Sequence, residues 1–216
     1  MSPRPAQGPL DPAPASGWNT AMTDIALIVF GYLAGSLSTG VLVARLLGIA
    51  DPRSGGSGNP GATNVLRLGG RGAGAATLLG DALKGVVPVL GGYALGLPAG
   101  TIAAIGGAAF LGHLYPVFFA FRGGKGIATG LGIFIAWSWL PGVAVALTWL
   151  VVAGLTRLSS LAALVSFALA PAWFLLIDAS PALAGVAAGM ALLTAWRHRG
   201  NIQRIARGTE PRIGQR

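Results

Sequence analysis

"GIATGLGIFIAWSWLPGVAVALTWLVVAGLT" runs from Gly126 to Thr156 without one charged side chain. How it crosses a membrane decides the topology. It reads either as one long helix through Pro141-Gly142 or as two short apolar spans, 126–140 and 142–156. Five more apolar stretches flank it, near 24–47, 73–97, 99–121, 160–177 and 182–197. Of 216 residues, 53% are hydrophobic and only 10% are charged, and mean hydropathy is +0.68. Soluble domains carry about a quarter charged residues, so this chain is an integral membrane protein. Its 35 glycines suit helices that pack closely in lipid.

Charge placement decides between one span and two. With seven spans and the N-terminus outside, one face collects Arg53, Arg67, Arg71, Arg122, Lys125 and Arg157. It also collects the C-terminal cluster of Arg197, Arg199, Arg204, Arg207, Arg212 and Arg216. The opposite connections, "GLPAGT", "SWLPG" and "DASPA", carry no Lys or Arg. Fusing the two short spans would put Arg157 and the tail outside, against the positive-inside rule. The expected fold is therefore an all-α polytopic bundle of seven transmembrane helices. Residues 23–216 form one domain with a cytoplasmic C-terminus. Residues 1–22 are rich in Pro, Ala, Ser and Gly and are expected to be a disordered tail, or an upstream start before Met22. The apolar run that follows is too long for the core of a signal peptide.

Composition also narrows the chemistry. There is no cysteine, which removes disulfides, cysteine-ligated zinc and an enzyme-bound thioester. Two histidines and six acids argue against a metal site, and no cofactor is expected. The net charge of +9 first reports topology, so nucleic acid is not expected as a partner.

The unusual polar residues fall in four clusters, all on the basic face. The first is "DPRSGGSGNPGATNVLR", Asp51 to Arg67. Its glycines allow backbone N–H groups to converge on an anion, Ser57, Asn59, Thr63 and Asn64 add donors, and Arg67 offers a planar fork for phosphate. A flexible polar turn is the plain alternative. The second is "GHLYPVFFAFRGGKGIATG", Gly112 to Gly130. It sets Arg122 and Lys125 among glycines at the mouth of a helix, where anions are attracted. It is not a Walker A loop, since Gly126 follows Lys125. Two positive-inside residues on a short turn would look the same, and His113 reads as structural.

The third cluster is "TRLSSLAA", where a serine at a helix start is usually an N-cap. The fourth is "WRHRGNIQRIARGTEPR", Trp196 to Arg212. His198 and Asn201 are three apart and share a helix face, and Glu210 is the lone acid. A basic end resting on anionic headgroups, with membrane lipids as its partner, explains several of these arginines. Asp81 and Lys84, inside the second span, can pair to lower the cost of burial, as a structural or a functional element. None of these clusters is specific alone. Their convergence on one face is.

Together, "GSGNPGATNVLR", "GHLYPVFFAFRGGKGIAT" and "HRGNIQRIARGTE" resemble the three motifs of the bacterial acyl-phosphate:glycerol-3-phosphate acyltransferases. The resemblance extends in order from about Ala26 to Glu210, and "GYLAGSLSTG" and "GDALKG" share it. It implies a seven-span enzyme of the bacterial inner membrane whose site faces the cytoplasm. The reaction implied is acyl transfer from acyl phosphate to the 1-hydroxyl of sn-glycerol 3-phosphate. The products are lysophosphatidic acid and inorganic phosphate, the first acylation of phospholipid synthesis. By this resemblance Ser57, Gly58, Asn59, Gly61, Thr63 and Asn64 bind phosphate beside Arg67. Gly123, Gly124 and Lys125 line the same pocket, Ser160 touches glycerol 3-phosphate, and His198, Asn201 and Glu210 match the third motif. His198, Asn201, Lys125 and Arg67 are the candidate catalytic residues.

Acyl phosphate is a mixed anhydride with a good leaving group, so no covalent nucleophile is required. No carboxylate is placed for a Ser-His-Asp triad. His198 either takes the hydroxyl proton or orients the acceptor. Thioester-using acyltransferases typically carry H-x-x-x-x-D, whereas here His113 leads to Phe118 and His198 to Gln203. Coenzyme A and acyl-carrier protein are thus not expected as direct donors. The rival reading is an organic-phosphate membrane transporter, which would want its site near the midplane, often between repeats that this sequence lacks. A lipid-binding scaffold is a third.

Overall fold

The computed structural model describes residues 17–214, with nine α-helices among them. They are α1 (Gly17–Gly35), α2 (Thr39–Leu46), α3 (Ala62–Ala94), α4 (Ala99–Leu114), α5 (Ile127–Trp137), α6 (Trp139–Thr156), α7 (Ser159–Asp178), α8 (Pro181–Arg197) and α9 (Arg199–Ala206). The expected tail at residues 1–16 lies outside the described residues. From Gly17 onward no proline interrupts the chain before Pro52, and residues 17–22 belong to α1.

Each expected apolar stretch maps onto helix. By length and composition, four segments qualify as membrane spans: Ala62–Ala94, Ala99–Phe119, Trp139–Thr156 and Ser159–Asp178. The pair α1–α2, bent by 43°, makes a fifth if taken as one broken span. The long apolar stretch breaks at Ser138, whose extended backbone (φ −159, ψ 128) ends α5 and caps α6. Pro141 therefore falls in the first turn of α6, where its missing N–H costs nothing. The two helices fold back as a hairpin, with Gly142 against the backbone of Phe134 and Ile135. At 1.5 Å per residue, α5 is roughly 16 Å long and α6 roughly 27 Å. Helix α5 is therefore roughly 10 Å shorter than α6.

Small residues let backbones touch. Gly31 and Gly35 on α1 face Ile105 and Ala109 on α4, and Gly112 faces Tyr32. A Cβ at Gly35 would lie 2.0 Å from the carbonyl oxygen of Ala109. Helix α3 meets α5 in the same way, through Gly85 against Thr129 and Gly132 against Ala82. The core is an aromatic cluster from α4, α5 and α7. Phe134 stands 5.1 Å from Phe167 and 5.6 Å from Phe174, ring centre to ring centre. The outward faces are apolar instead of polar, with Leu79, Leu90, Leu150, Leu155, Leu176 and Leu192 all exposed. That inversion suits a lipid surround.

Helix α3 is really two pieces. Gly70 adopts φ 80, ψ −175, which breaks a short prelude, 62–69, from the long span. Thr63, Asn64 and Arg67, expected in a loop, sit on this prelude because the chain becomes helical right after Pro60-Gly61.

Candidate functional site

The loop from Asp51 to Gly61 is tied down from within. Asn64 is buried, and its amide makes three hydrogen bonds to the loop. Its Oδ1 accepts from the Ser57 N–H (2.9 Å), and its Nδ2 donates to the carbonyls of Pro52 and Gly55 (2.9 Å each). Asn64 thus holds the loop, and its side chain is engaged there. Gly56 and Gly58 take left-handed backbone (φ 58 and 71), and a Cβ on Gly56 would strike Asn64 Oδ1 at 2.2 Å. The result is a tight turn that leaves Ser57 exposed. Asn59 lies over Gly61, while Thr63 and Arg67 are exposed. Asp51 braces Arg53 through paired contacts, the shortest 2.7 Å. The Arg53 hydrogen bond, working against partial burial, lowers the Asp51 pKa to about 2.

The second loop folds over the end of α4. Ala120 and Phe121 sit in left-handed backbone (φ 52 and 58), which costs about 1 kcal/mol or more each. This turns Arg122 outward and brings Gly123 and Gly124 under it. The Gly124 N–H donates to the His113 carbonyl at 3.2 Å. Gly126, with φ 82, caps α5.

Helix α8 delivers Arg197 to that loop. Its guanidinium donates to the carbonyls of Gly124 (Nε, 3.0 Å) and Gly123 (Nη2, 2.6 Å) and lies 5.6 Å over the ring of Tyr115. The chain then breaks at His198, and α9 swings Asn201 towards Lys125. Lys125 Nζ donates to Asn201 Oδ1 at 2.5 Å, and Asn201 Nδ2 donates to Glu210 Oε1 at 2.6 Å. Arg204 Nε donates to Glu210 Oε2 at 2.7 Å. Ser160 stands beside the same carboxylate, without a well-aligned hydrogen bond from its hydroxyl. Burial works to raise the Glu210 pKa, but its contacts with Asn201, Ser160 and Arg204 outweigh that and hold it below the usual range. The tail is clipped back onto the α6–α7 turn, where the Ile213 N–H donates to the Arg157 carbonyl at 2.7 Å.

Two basic cavities adjoin here. One, of about 410 Å³, is lined by Ser57, Lys125, Arg197, Asn201 and Arg204, among others. The second, of about 250 Å³, is lined by Arg53, Gly58, Arg122, Gly123 and Arg197, with Pro60 and Phe121. Arg197 belongs to both. Burial lowers the Lys125 pKa to about 8, and nearby Arg204, Arg197 and Arg67 add to this while Glu210 opposes it. His198 is 3% exposed, and its Nδ1 lies 2.9 Å from the Thr194 carbonyl. That carbonyl can only accept, so Nδ1 carries the proton and Nε2 keeps a lone pair. Burial, then the charge on Lys125, lowers the His198 pKa to about 4. Among the described residues, no group of three or more His, Asp or Glu side chains gathers as metal ligands would.

The sequence-derived residues thus meet at one face: Ser57 and Gly58, Gly123 to Lys125, and Ser160, His198, Asn201 and Glu210. Arg67 is near enough for its charge to act on Lys125. Arg197 and Arg53 escaped the sequence reading. Each looks like an ordinary positive-inside arginine, and only their carbonyl, aromatic and carboxylate partners distinguish them. The one hint was that Arg197 abuts His198.

The chain is similar to known proteins. Residues 25–208 match the glycerol-3-phosphate acyltransferase family. The glycerol-3-phosphate acyltransferase of Halorhodospira halophila is 53% identical over 193 residues, covering 89% of this chain and 98% of that one. That of Methylobacillus flagellatus is 48% identical over 197 residues, covering 90% and 100%. The crystal structure of PlsY, an integral membrane glycerol 3-phosphate acyltransferase, in its glycerol 3-phosphate form is similar with a TM-score of 0.84. It is 37% identical, with 89% of this chain and 96% of that chain covered. With relatives of this identity matched across nearly their whole length, the chain belongs to the glycerol-3-phosphate acyltransferase family.

Proposed function

We propose that the protein transfers a fatty acyl group from acyl phosphate to the 1-hydroxyl of sn-glycerol 3-phosphate, releasing lysophosphatidic acid and inorganic phosphate. The observation that carries this reading is Arg197 standing between two adjoining basic cavities. Both reactants bear a phosphate, and two neighbouring anion sites are what their meeting requires. The glycerol hydroxyl oxygen attacks the acyl carbonyl carbon, the carbon–oxygen bond to phosphate breaks, and the hydroxyl proton passes to a phosphate oxygen. Holding hydroxyl and carbonyl in near-attack geometry supplies several kcal/mol of the rate enhancement. Arg197, Lys125 and Arg67 offset the charge that develops.

The proton route follows from relative basicity. Burial lowers the His198 pKa to about 4, which makes it a weak base near pH 7, whereas the departing phosphate gains basicity as its bond to carbon breaks. His198 and Asn201 therefore position the glycerol, with the Nε2 lone pair as an acceptor. Ser57, Gly58, Asn59, Gly61 and Thr63 form the first phosphate cradle, and Asn64 maintains its shape. Gly123, Gly124 and Lys125 form the second. Glu210 and Ser160 orient Asn201 and the acceptor's polar end.

Seven spans with the N-terminus outside, in the bacterial inner membrane, put every basic loop and both cavities on the cytoplasmic side. The four clusters sharing one face support that orientation over a midplane transport path. The test is product analysis with purified protein, acyl phosphate and glycerol 3-phosphate, beside an acyl-coenzyme A control. Lysophosphatidic acid and phosphate should form with acyl phosphate alone. Equal turnover with coenzyme A thioester, or uptake into sealed vesicles without acylation, defeats the reading.

A further inference from the structure

Behind the second loop lies a buried polar cluster that the mechanism above does not use. Asp81 and Lys84 on α3, His113 on α4 and Thr129 on α5 are all buried. Lys84 Nζ is 2.9 Å from Asp81 Oδ1 and donates to the Leu37 carbonyl at 2.7 Å, in the break between α1 and α2. His113 Nδ1 is 3.0 Å from Thr129 Oγ1 and 3.6 Å from Asp81 Oδ1. Its other ring nitrogen faces the loop. A Cβ on Gly124 would lie 2.3 Å from His113 Nε2, and the three nearest atoms to that point all belong to the His113 ring. A Cβ on Gly123 would lie 2.1 Å from the His113 carbonyl oxygen, the atom that also accepts the Gly124 N–H.

We infer that His113, oriented by Thr129, is a positioning residue: it is the floor on which Gly123 and Gly124 rest. Those glycines present the carbonyls that hold Arg197, and Lys125 follows them directly. Tilting the imidazole moves the two carbonyls, and with them the cation shared by both cavities. Burying four polar groups where apolar ones would pack costs stability, so their retention asks for a geometric return. The inference rests on the proposed acyl transfer for its activity readout only.

The test is a mutant cycle between floor and loop. Gly124→Ala drives a methyl into the ring and should lower kcat/KM for glycerol 3-phosphate by roughly 100-fold, the scale expected of a misplacement near 1 Å. His113→Asn keeps a polar atom near Nδ1 and vacates the space of Nε2. The double variant should therefore be at least as active as Gly124→Ala alone. Losses that simply multiply overturn the inference. Where either variant fails to fold, Thr129 decides. Thr129→Val keeps the volume but removes the hydroxyl, and should lower kcat/KM about 5-fold, one hydrogen bond's worth. Thr129→Ser should stay near wild type. Equal activity of the Val and Ser variants overturns the inference. The rise in melting temperature caused by inorganic phosphate is read on the same proteins in detergent. If wild type forms no lysophosphatidic acid while the phosphate-induced shifts keep the non-multiplying pattern, the acyl-transfer reading fails and the floor stands. If the shifts are as large in Gly124→Ala and Thr129→Val as in wild type, the floor fails.

Discussion

Arg197→Lys separates charge from geometry at the centre of the site. The substitution keeps the positive charge but replaces a planar fork with a point donor. Arg197 makes two carbonyl hydrogen bonds, to Gly123 and Gly124, and stacks on Tyr115. A lysine has three donors on one nitrogen but no rigid fork, so it is not preset to meet both carbonyls at once. Losing one hydrogen bond from a charged group costs about 1.5–3 kcal/mol, and the stacking adds about 0.5–1. The sum, about 2–4 kcal/mol, corresponds to a fall in kcat/KM of roughly 30- to 1,000-fold. The assay is lysophosphatidic acid formation in detergent, varying each substrate at saturation of the other. Because Arg197 borders both cavities, the loss should appear with both substrates. A lysine variant within about threefold of wild type, beside an inactive Arg197→Ala, would mean that charge alone matters at this position and would refute the fork argument.

Other residues give independent tests. Lys125, with its pKa near 8, is charged below that value and loses charge above it, so kcat/KM for glycerol 3-phosphate should fall as pH rises through about 8. Lys125→Arg should abolish that limb at a lower maximum. The charge on Glu210 raises the Lys125 pKa, so Glu210→Gln should move the same limb to lower pH and loosen Arg204; a limb that stays in place contradicts the contact network. Asn64→Ala removes three hydrogen bonds around the first loop and should cost about 2–4 kcal/mol, read as a lower melting temperature in detergent together with a raised KM. Gly35→Leu would force a side chain into the Ala109 carbonyl and should abolish recovery of folded protein in membranes.

Much of this was legible in the sequence because lipid imposes a simple code. The uncharged run from Gly126 to Thr156 and the one-sided arginines gave helices, a hairpin and a common polar face. The exact hinge was not legible: Pro141 looked like the break, yet Ser138 provides it, since proline is tolerated in a first helical turn. Nor was the helical prelude at 62–69 visible, because a glycine-rich stretch signals turns and hides the short amphipathic segment that follows. Ser57 and Lys125 could be picked out because their loops carry residue types suited to phosphate, and Asn201 because it shares a helix face with His198. Arg197 could not, because composition does not distinguish an arginine bound to backbone carbonyls from one resting on headgroups. Asn64 shows the same limit from the other side: an amide that looks suited to a ligand is fastened to its own loop.

The brevity of α5 has one more implication. At 11 residues this helix cannot cross a bilayer by itself, and the loop that leads into it holds Lys125 beside the buried Gly123 and Gly124. In the proposed reaction, a water-soluble glycerol derivative would reach these residues through the two basic cavities. A donor anchored by its hydrocarbon tail would present its headgroup there while the tail stays among neighbouring lipids. In that reaction, a helix this short would let two molecules of opposite solubility meet without either leaving its own solvent.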